Sequence, residues 1–194
     1  MSFLSDTEIS ALGFESTGRN VKISNKASIY CAEKIVLGDN VRIDDFCILS
    51  AGAGGIYMGS FIHIAAYSSL IGRERIQLMD FSGLSSRVSV YSSSDKYTGN
   101  WMTNPTVPED FTGVQHKPVI IGRHVIIGPG SVILPGAILE DGVAVGALSL
   151  VRGRCREFGL YSGIPAKRIS ERKRNLLELE KKLLASIEGK GMPS

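Results

Sequence analysis

The chain has 194 residues, 43% of them hydrophobic, enough for one domain with a packed core. A net charge of +3 suits a protein that binds anionic small molecules, and it demands neither nucleic acid nor a membrane surface. No apolar run approaches the roughly 20 residues that span a bilayer, so no stable membrane insertion is expected.

Residues 1–19 read as an N-terminal cap segment. MSFLSDTEISALGF lacks a basic stretch followed by an apolar one, so no secretory signal is read and a cytoplasmic protein is expected. Cys31, Cys47 and Cys155 show no C-x-x-C spacing, which fits free thiols in a reducing compartment. SDTEISALGF predicts a short helix, with Ser5 or Asp6 as its cap and Glu8 behind it.

Residues 20–168 carry a repeat. From Ile121 the sequence reads IGRHVI, IGPGSV, ILPGAI, LEDGVA and VGALSL, with aliphatic residues at 121, 127, 133, 139, 145 and 151. Four positions after each come the compact Val125, Ser131, Ala137, Val143 and Ser149. An amphipathic helix repeats at three and four, and a half-buried strand at two. A period of six with turn residues in every unit describes a short strand and a corner, three of which make a triangular coil. Coils stack at about the 4.8 Å of neighbouring strands, and one coil cannot bury its apolar face alone. The same register appears at Leu37, Ile43 and Leu49, at Met58, Ile64 and Leu70, and at Leu78, Leu84 and Val90. Phase shifts near 51–55 and 72–75 predict small insertions, and Val21 and Ile23 begin the first coil. The fold read from this register is all-β, a left-handed parallel β-helix.

Two segments leave the repeat. Residues 91–117 are polar, aromatic and proline-bearing, and so long an excursion from a regular scaffold is usually functional. After the GIP turn at Pro165, residues 169–194 read as a C-terminal helix and tail. Leu176, Leu179, Leu183, Leu184 and Ile187 have helical spacing, and an amphipathic helix over 170–188 is expected to pack on the stack or on a neighbouring subunit.

IIGRHVIIGPGSVILPGAILEDGVAVGALSLV followed by SGIPAKRISER resembles the hexapeptide-repeat acyltransferases, the bacterial sugar acetyltransferases of capsule and lipopolysaccharide pathways. The class includes galactoside and maltose O-acetyltransferases and the N-acetyltransferases of nucleotide-linked amino sugars. NVRIDDFCILSAGAGGIYMGSFIHIAAYSSLIG is similar to the O-antigen enzymes that acylate a dTDP-linked 4-amino-4,6-dideoxy sugar. The resemblance implies acetyl-CoA as co-substrate, a sugar or nucleotide-sugar acceptor, no metal, and a homotrimer with active sites between adjacent β-helices. It also implies that Gly128, Gly146 and Ala147 occupy the corners that line the CoA groove. Ala166 and Lys167 match the GxPAK element, and with Arg168, Arg172 and Arg174 they form a positive patch suited to the CoA phosphates.

Acetyl transfer needs an acceptor nucleophile, a thioester carbonyl and often a base. Where the sugar O-acetyltransferases carry a loop histidine, this chain has SSSDKYTG, with Asp95 roughly at that place. His116 closes the loop and is the leading candidate base, the alternative being a structural role. Asp95 is read as orienting a histidine, binding the acceptor, or forming a turn. His63 precedes an inward-facing isoleucine, so it faces outward, for trimer contacts or for substrate. Tyr91, Tyr97 and Asn104 offer aromatic faces and an amide to a sugar or base, Trp101 is read as packing the loop down, and His124 is read as structural or adjacent to CoA. The leading expectation is N-acetylation of a nucleotide-linked amino-deoxysugar, because an amine needs less help from a base than a hydroxyl does. O-acetylation of a sugar hydroxyl is the alternative. A zinc carbonic anhydrase, which needs three converging histidines, and a non-catalytic β-helix fit less well.

Overall fold

The computed structural model describes residues 2–188. Each hexad forms a strand of two to four residues and a corner, and the strands stack in parallel as three flat faces. The first face runs from Ser16–Thr17 through Ile35–Leu37, Ile56–Met58, Ile76–Leu78, Val119–Ile121 and Ile138–Leu139 to Arg154–Cys155. The second runs from Lys22–Ile23 through Val41–Ile43, Ile62–Ile64, Gly83–Leu84, Ile126–Ile127 and Ala144–Val145 to Gly159–Gly163. The third begins at Ser28–Tyr30 and ends at Leu150–Val151.

The three-residue strands of the first two faces turn both end residues inward, and the two-residue strands of the later coils turn one. Ile23, Ile43, Ile64, Leu84, Ile127 and Val145 stack in one such column and are all buried. Burying an aliphatic side chain of this size contributes about 1.5–3 kcal/mol, so the columns hold the coils together.

The corners repeat as well. Between the first and second faces, Asn20, Asn40, Phe61, Phe81, His124 and Phe158 all take left-handed backbone angles, unfavourable for residues with a side chain. Stacking down the column offsets that strain. Asn20 Nδ2 donates to Asn40 Oδ1 at 2.7 Å, and the Phe61 and Phe81 rings stack with centroids 4.8 Å apart. At the next corner Phe46 stacks on Tyr67 at 5.0 Å, with Lys26 and Arg87 over the outer ring faces.

Both ends of the stack are covered. The N-terminal helix is Asp6–Ala11, and Ser5, rather than Asp6, is its cap, in a capping box with Glu8. Its Ile9 is buried against the first coil. The first coil begins at Ser16, earlier than the register suggests, because Ser16 and Thr17 pair with Val36 and Leu37. The C-terminal end departs further from expectation. Ala166–Glu171 is a strand, antiparallel to Gly159–Gly163, and the helix starts only at Leu176 and runs to Glu188. The last coil would otherwise present an unpaired strand edge, and the chain folds back to cover it. Residues 189–194 of the expected tail lie outside the described residues.

Candidate active site

The loop excursion leaves at the corner between the third and first faces. Ser93–Ser94 and Gln115–His116 pair antiparallel and close its neck. Ser92 Oγ donates to the Glu74 carbonyl at 2.6 Å, and Lys117 N–H donates to the Ser92 carbonyl at 3.0 Å. Gly72, at φ +150°, permits this junction, since a Cβ there would lie 2.1 Å from Ser92 Oγ. Beyond the neck, Trp101 covers Gly113, where a Cβ would meet its ring at 2.5 Å, so Trp101 packs the loop down as expected. Arg73 reaches from the coil to Glu109 at 2.9 Å and ties the loop to the scaffold.

Between loop and coil lies a cavity of about 780 Å³, within the range of small-molecule sites. Its wall brings together Arg73, Asp95, Asn104, Glu109 and His116. His116 Nδ1 is 2.8 Å from Ser93 Oγ, which also accepts from Arg73 N–H at 2.8 Å. The hydroxyl has a second lone pair as well as its proton, so Nδ1 can donate to it or accept from it; in the tautomer in which Nδ1 accepts, the ring proton sits on Nε2 and His116 donates from there. Asn104 builds the rim, its side-chain carbonyl accepting from Thr106 N–H at 3.0 Å in an Asx turn. Tyr91 sits beside Ile71 on the third face, and Tyr97 is 89% exposed; neither lines the cavity.

A second hollow, of about 610 Å³, lies on the second face. His63 stands in its wall with Gly83, His124, Ile126, Arg172 and Leu176. His63 Nε2 is 2.8 Å from the carboxylate of Asp44, which also accepts from Arg42 Nε at 2.7 Å. Burial alone would raise the Asp44 pKa. The hydrogen bonds from Arg42 and His63 outweigh it and hold the carboxyl below its usual value.

The corner that follows the second face carries Gly128, Gly146 and Ala147. The N–H groups of Gly128 and Gly146 bond the carbonyls of Val145 and Tyr161 in the next coil. Both glycines are forced by the next coil, where a Cβ would lie 2.6 Å from Ala147 N and 2.8 Å from Ser162 Oγ, and neither offers a free amide. Ser149 Oγ and Ser131 Oγ both donate to the Gly146 carbonyl, at 2.8 and 3.0 Å, and brace this corner. Ala166 and Lys167 lie on the returning strand opposite Gly163 and Ser162, and Lys167 is exposed. The expected positive patch is largely spent on the fold. Arg168 pairs with Glu171, and Arg174 covers the Phe158 ring at 4.0 Å and faces Glu157. Arg172 Nη1 donates to the carbonyls of His124 and Gly142 at 2.6 and 3.1 Å, away from the Gly128 and Gly146 corner.

The sequence reading missed Asp44, Ser93, Arg73 and Glu109. Asp44 looks like a turn former in VRIDDF, and only its offset of one coil from His63 signals the pair. Among the described residues no group of three or more His, Cys, Asp or Glu gathers as a metal site. His63 and His124 line the second hollow and His116 the loop cavity, and no helix of the described residues is long and apolar enough to cross a membrane.

Residues 118–153 match the family described as bacterial transferase hexapeptide (six repeats). The chain is 50% identical over 180 residues to a dTDP-4-amino-4,6-dideoxy-D-glucose acyltransferase of Escherichia coli, covering 93% of this chain and 94% of that one. The chain belongs to the hexapeptide-repeat acyltransferases. The transferase also superposes on AntD, an N-acyltransferase from Bacillus cereus, with a TM-score of 0.93 and 45% identity. That match covers 95% of this chain and 98% of AntD, which holds dTDP-4-amino-4,6-dideoxyglucose and coenzyme A in that structure. A further relative, 32% identical over 161 residues, is the Escherichia coli K12 protein WbbJ, named for lipopolysaccharide biosynthesis O-acetyl transfer; the match covers 77% of this chain and 74% of WbbJ.

Proposed function

We propose that this transferase moves an acetyl group from acetyl-CoA to the amino group of a dTDP-linked amino-deoxysugar, a building block of a bacterial O-antigen or capsule. The observation that carries the reading is the near full-length relationship to an acyltransferase named for dTDP-4-amino-4,6-dideoxy-D-glucose. The loop cavity supports it. Asp95 gives its wall a carboxylate outside the Arg73–Glu109 pair, which suits an amine better than a neutral hydroxyl. Asp95 holds the amino group, and His116 Nε2–H donates to a sugar or phosphate oxygen. The free amine attacks the thioester carbonyl, the C–N bond forms, the C–S bond breaks, and CoA leaves as the thiol.

A homotrimer in the cytoplasm completes the reading. The loop cavity opens at the corner between third and first faces, and the small-residue corner at Gly128 and Gly146 follows the second face. Cyclic packing of three copies sets the loop of one against the second face of the next.

The test offers the purified protein acetyl-CoA and dTDP-4-amino-4,6-dideoxyglucose and follows thiol release. Turnover with an amide product is expected, and Asp95→Asn is expected to lower kcat/KM about 100-fold while acetyl-CoA still binds. The relationship to WbbJ favours one second reading, transfer to a sugar hydroxyl. No turnover on the amino sugar, together with a hydroxylamine-labile ester formed on a glycoside, selects it.

A further inference from the structure

The outward column of the second face reads Arg42, His63, Gly83, Ile126, Ala144. Gly83 is out of place there. Its backbone is not in the left-handed region. A Cβ at Gly83 would meet nothing nearer than Ile126 Cδ1 at 3.6 Å and the His63 carbonyl at 3.7 Å. Other glycines of the coils are forced by crowding: at Gly38 a Cβ would lie 2.5 Å from the Gly59 carbonyl oxygen. Crowding does not force Gly83. A glycine inside a strand that needs none marks a place where another group comes close to the backbone. Here it leaves the floor of the 610 Å³ hollow open. Along the edge of the same face Ala65, Ser85, Gly128 and Gly146 follow one another coil by coil, joined by Ala65 N–H to Leu84 O, Ser85 N–H to Ile127 O and Gly128 N–H to Val145 O. Ala65, Gly83 and Ser85 make the hollow beside His63 a shallow trough of small residues, whereas Gly128 and Gly146 further along are held to glycine by the next coil, where a Cβ would lie 2.6 Å from Ala147 N and 2.8 Å from Ser162 Oγ.

At the head of this trough His63 is half exposed, and its partner Asp44 is 9% exposed. A carboxylate only accepts, so Nε2 of His63 carries the ring proton and Nδ1 of the neutral ring keeps its lone pair.

We infer that His63, oriented by Asp44, accepts the proton of the attacking amine at the head of a trough whose floor at Gly83 receives the acyl thioester. The inference rests on the proposed N-acyl transfer, with the amino sugar brought by the loop of an adjacent copy. The amine nitrogen bonds to the thioester carbon, and its surplus proton passes to His63 Nδ1. The C–S bond breaks with its electron pair on sulfur, and the proton goes on to the thiolate. The other ionisable groups around it are Arg42 on the preceding coil and His124, Glu180 and Arg172 across it, His124 bonded to Glu180 and Arg172 to backbone carbonyls. Asp44 is a positioning residue.

The test uses the full-length enzyme with acetyl-CoA and dTDP-4-amino-4,6-dideoxyglucose. His63→Gln is expected to lower kcat about 100-fold with KM for acetyl-CoA unchanged, the loss easing at high pH where the amine is already free. Asp44→Asn is expected to lower kcat and displace the acid limb of the pH profile. Gly83→Leu is expected to raise KM for acetyl-CoA about tenfold with Tm unchanged. Wild-type kcat and pH profile in both His63→Gln and Asp44→Asn, or an unchanged KM in Gly83→Leu, overturns the inference. A wild-type enzyme inert toward the amino sugar overturns the proposed function instead. Calorimetric titration of Gly83→Leu with acetyl-CoA then still tests the trough: weakened binding supports it and undiminished binding rejects it.

Discussion

Phe81 and His124 stack with ring centroids 5.0 Å apart and planes 8° from parallel, although the whole loop excursion separates them in sequence. His124 ends the run of stacked rings Phe61–Phe81–His124, and its Nε2 meets Glu180 of the C-terminal helix at 2.7 Å. Arg123 pairs with the other oxygen of Glu180. One partly buried carboxylate thus fixes the helix to the coil.

His124→Ala removes both the stack and the partner of Glu180. The expected loss is about 2 kcal/mol, seen as a fall in Tm of about 4–8 °C. Amide exchange in residues 176–187 should quicken more than in the coils. Unchanged exchange there would show that the helix is held by something else.

Gly38→Ala tests the glycine column at the same corner. Gly18, Gly38 and Gly59 follow the first-face strands, and a Cβ at Gly38 would lie 2.5 and 2.6 Å from the Gly59 carbonyl. Backbone cannot yield as a side-chain tip can. A destabilisation of about 3 kcal/mol is expected in urea unfolding. A loss below about 0.5 kcal/mol would mean that the coils separate without strain.

Ser82 tests the opposite sign. Its Oγ is buried without a hydrogen-bond partner among the described residues, in an inward column between Ile62 and Val125. An unpaired buried hydroxyl costs about 1–3 kcal/mol. Ser82→Ala is expected to leave Tm unchanged or raise it by about 2–4 °C. A fall in Tm would reveal a partner for the hydroxyl.

The thiols should separate by reactivity. Cys31 is exposed, whereas burial, with the charge of Glu140 adding to it, pushes Cys155 up to about 11. Burial likewise raises Cys47. Below its pKa a thiol is protonated and unreactive. At pH 8 iodoacetamide should therefore label Cys31 alone in the native protein, and all three cysteines after unfolding. Mass spectrometry of the digested protein reads the outcome, and native labelling of Cys155 at pH 8 would contradict its burial.

The coils were legible because their rule is local: an inward position every sixth residue must be aliphatic, and Ile121 through Val151 obey it without a slip. The loop showed itself as the place where the rule stops, and Asp95, Asn104 and His116 do meet in one cavity. What escaped depends on pairing across coils. Ala166–Glu171 carries no strand alternation and is extended because Gly159–Gly163 offers it an edge. The Asp44–His63 pair hides because the early coils are longer than the late ones: Ile23 stacks on Ile43, whereas Ile127 stacks on Val145. Arg168, Arg172 and Arg174 looked like ligands for phosphate because charge alone does not reveal which carbonyls or carboxylates a folded arginine already serves.

The two-rung neck at Ser93–Ser94 and Gln115–His116 has an evolutionary corollary. Everything between those rungs hangs from the solenoid as a cassette. The inward columns resume at Val119 in step with Ile76, whatever length of chain intervenes. Insertions, deletions or wholesale exchange of residues 95–114 can thus be sampled without disturbing the stacked register.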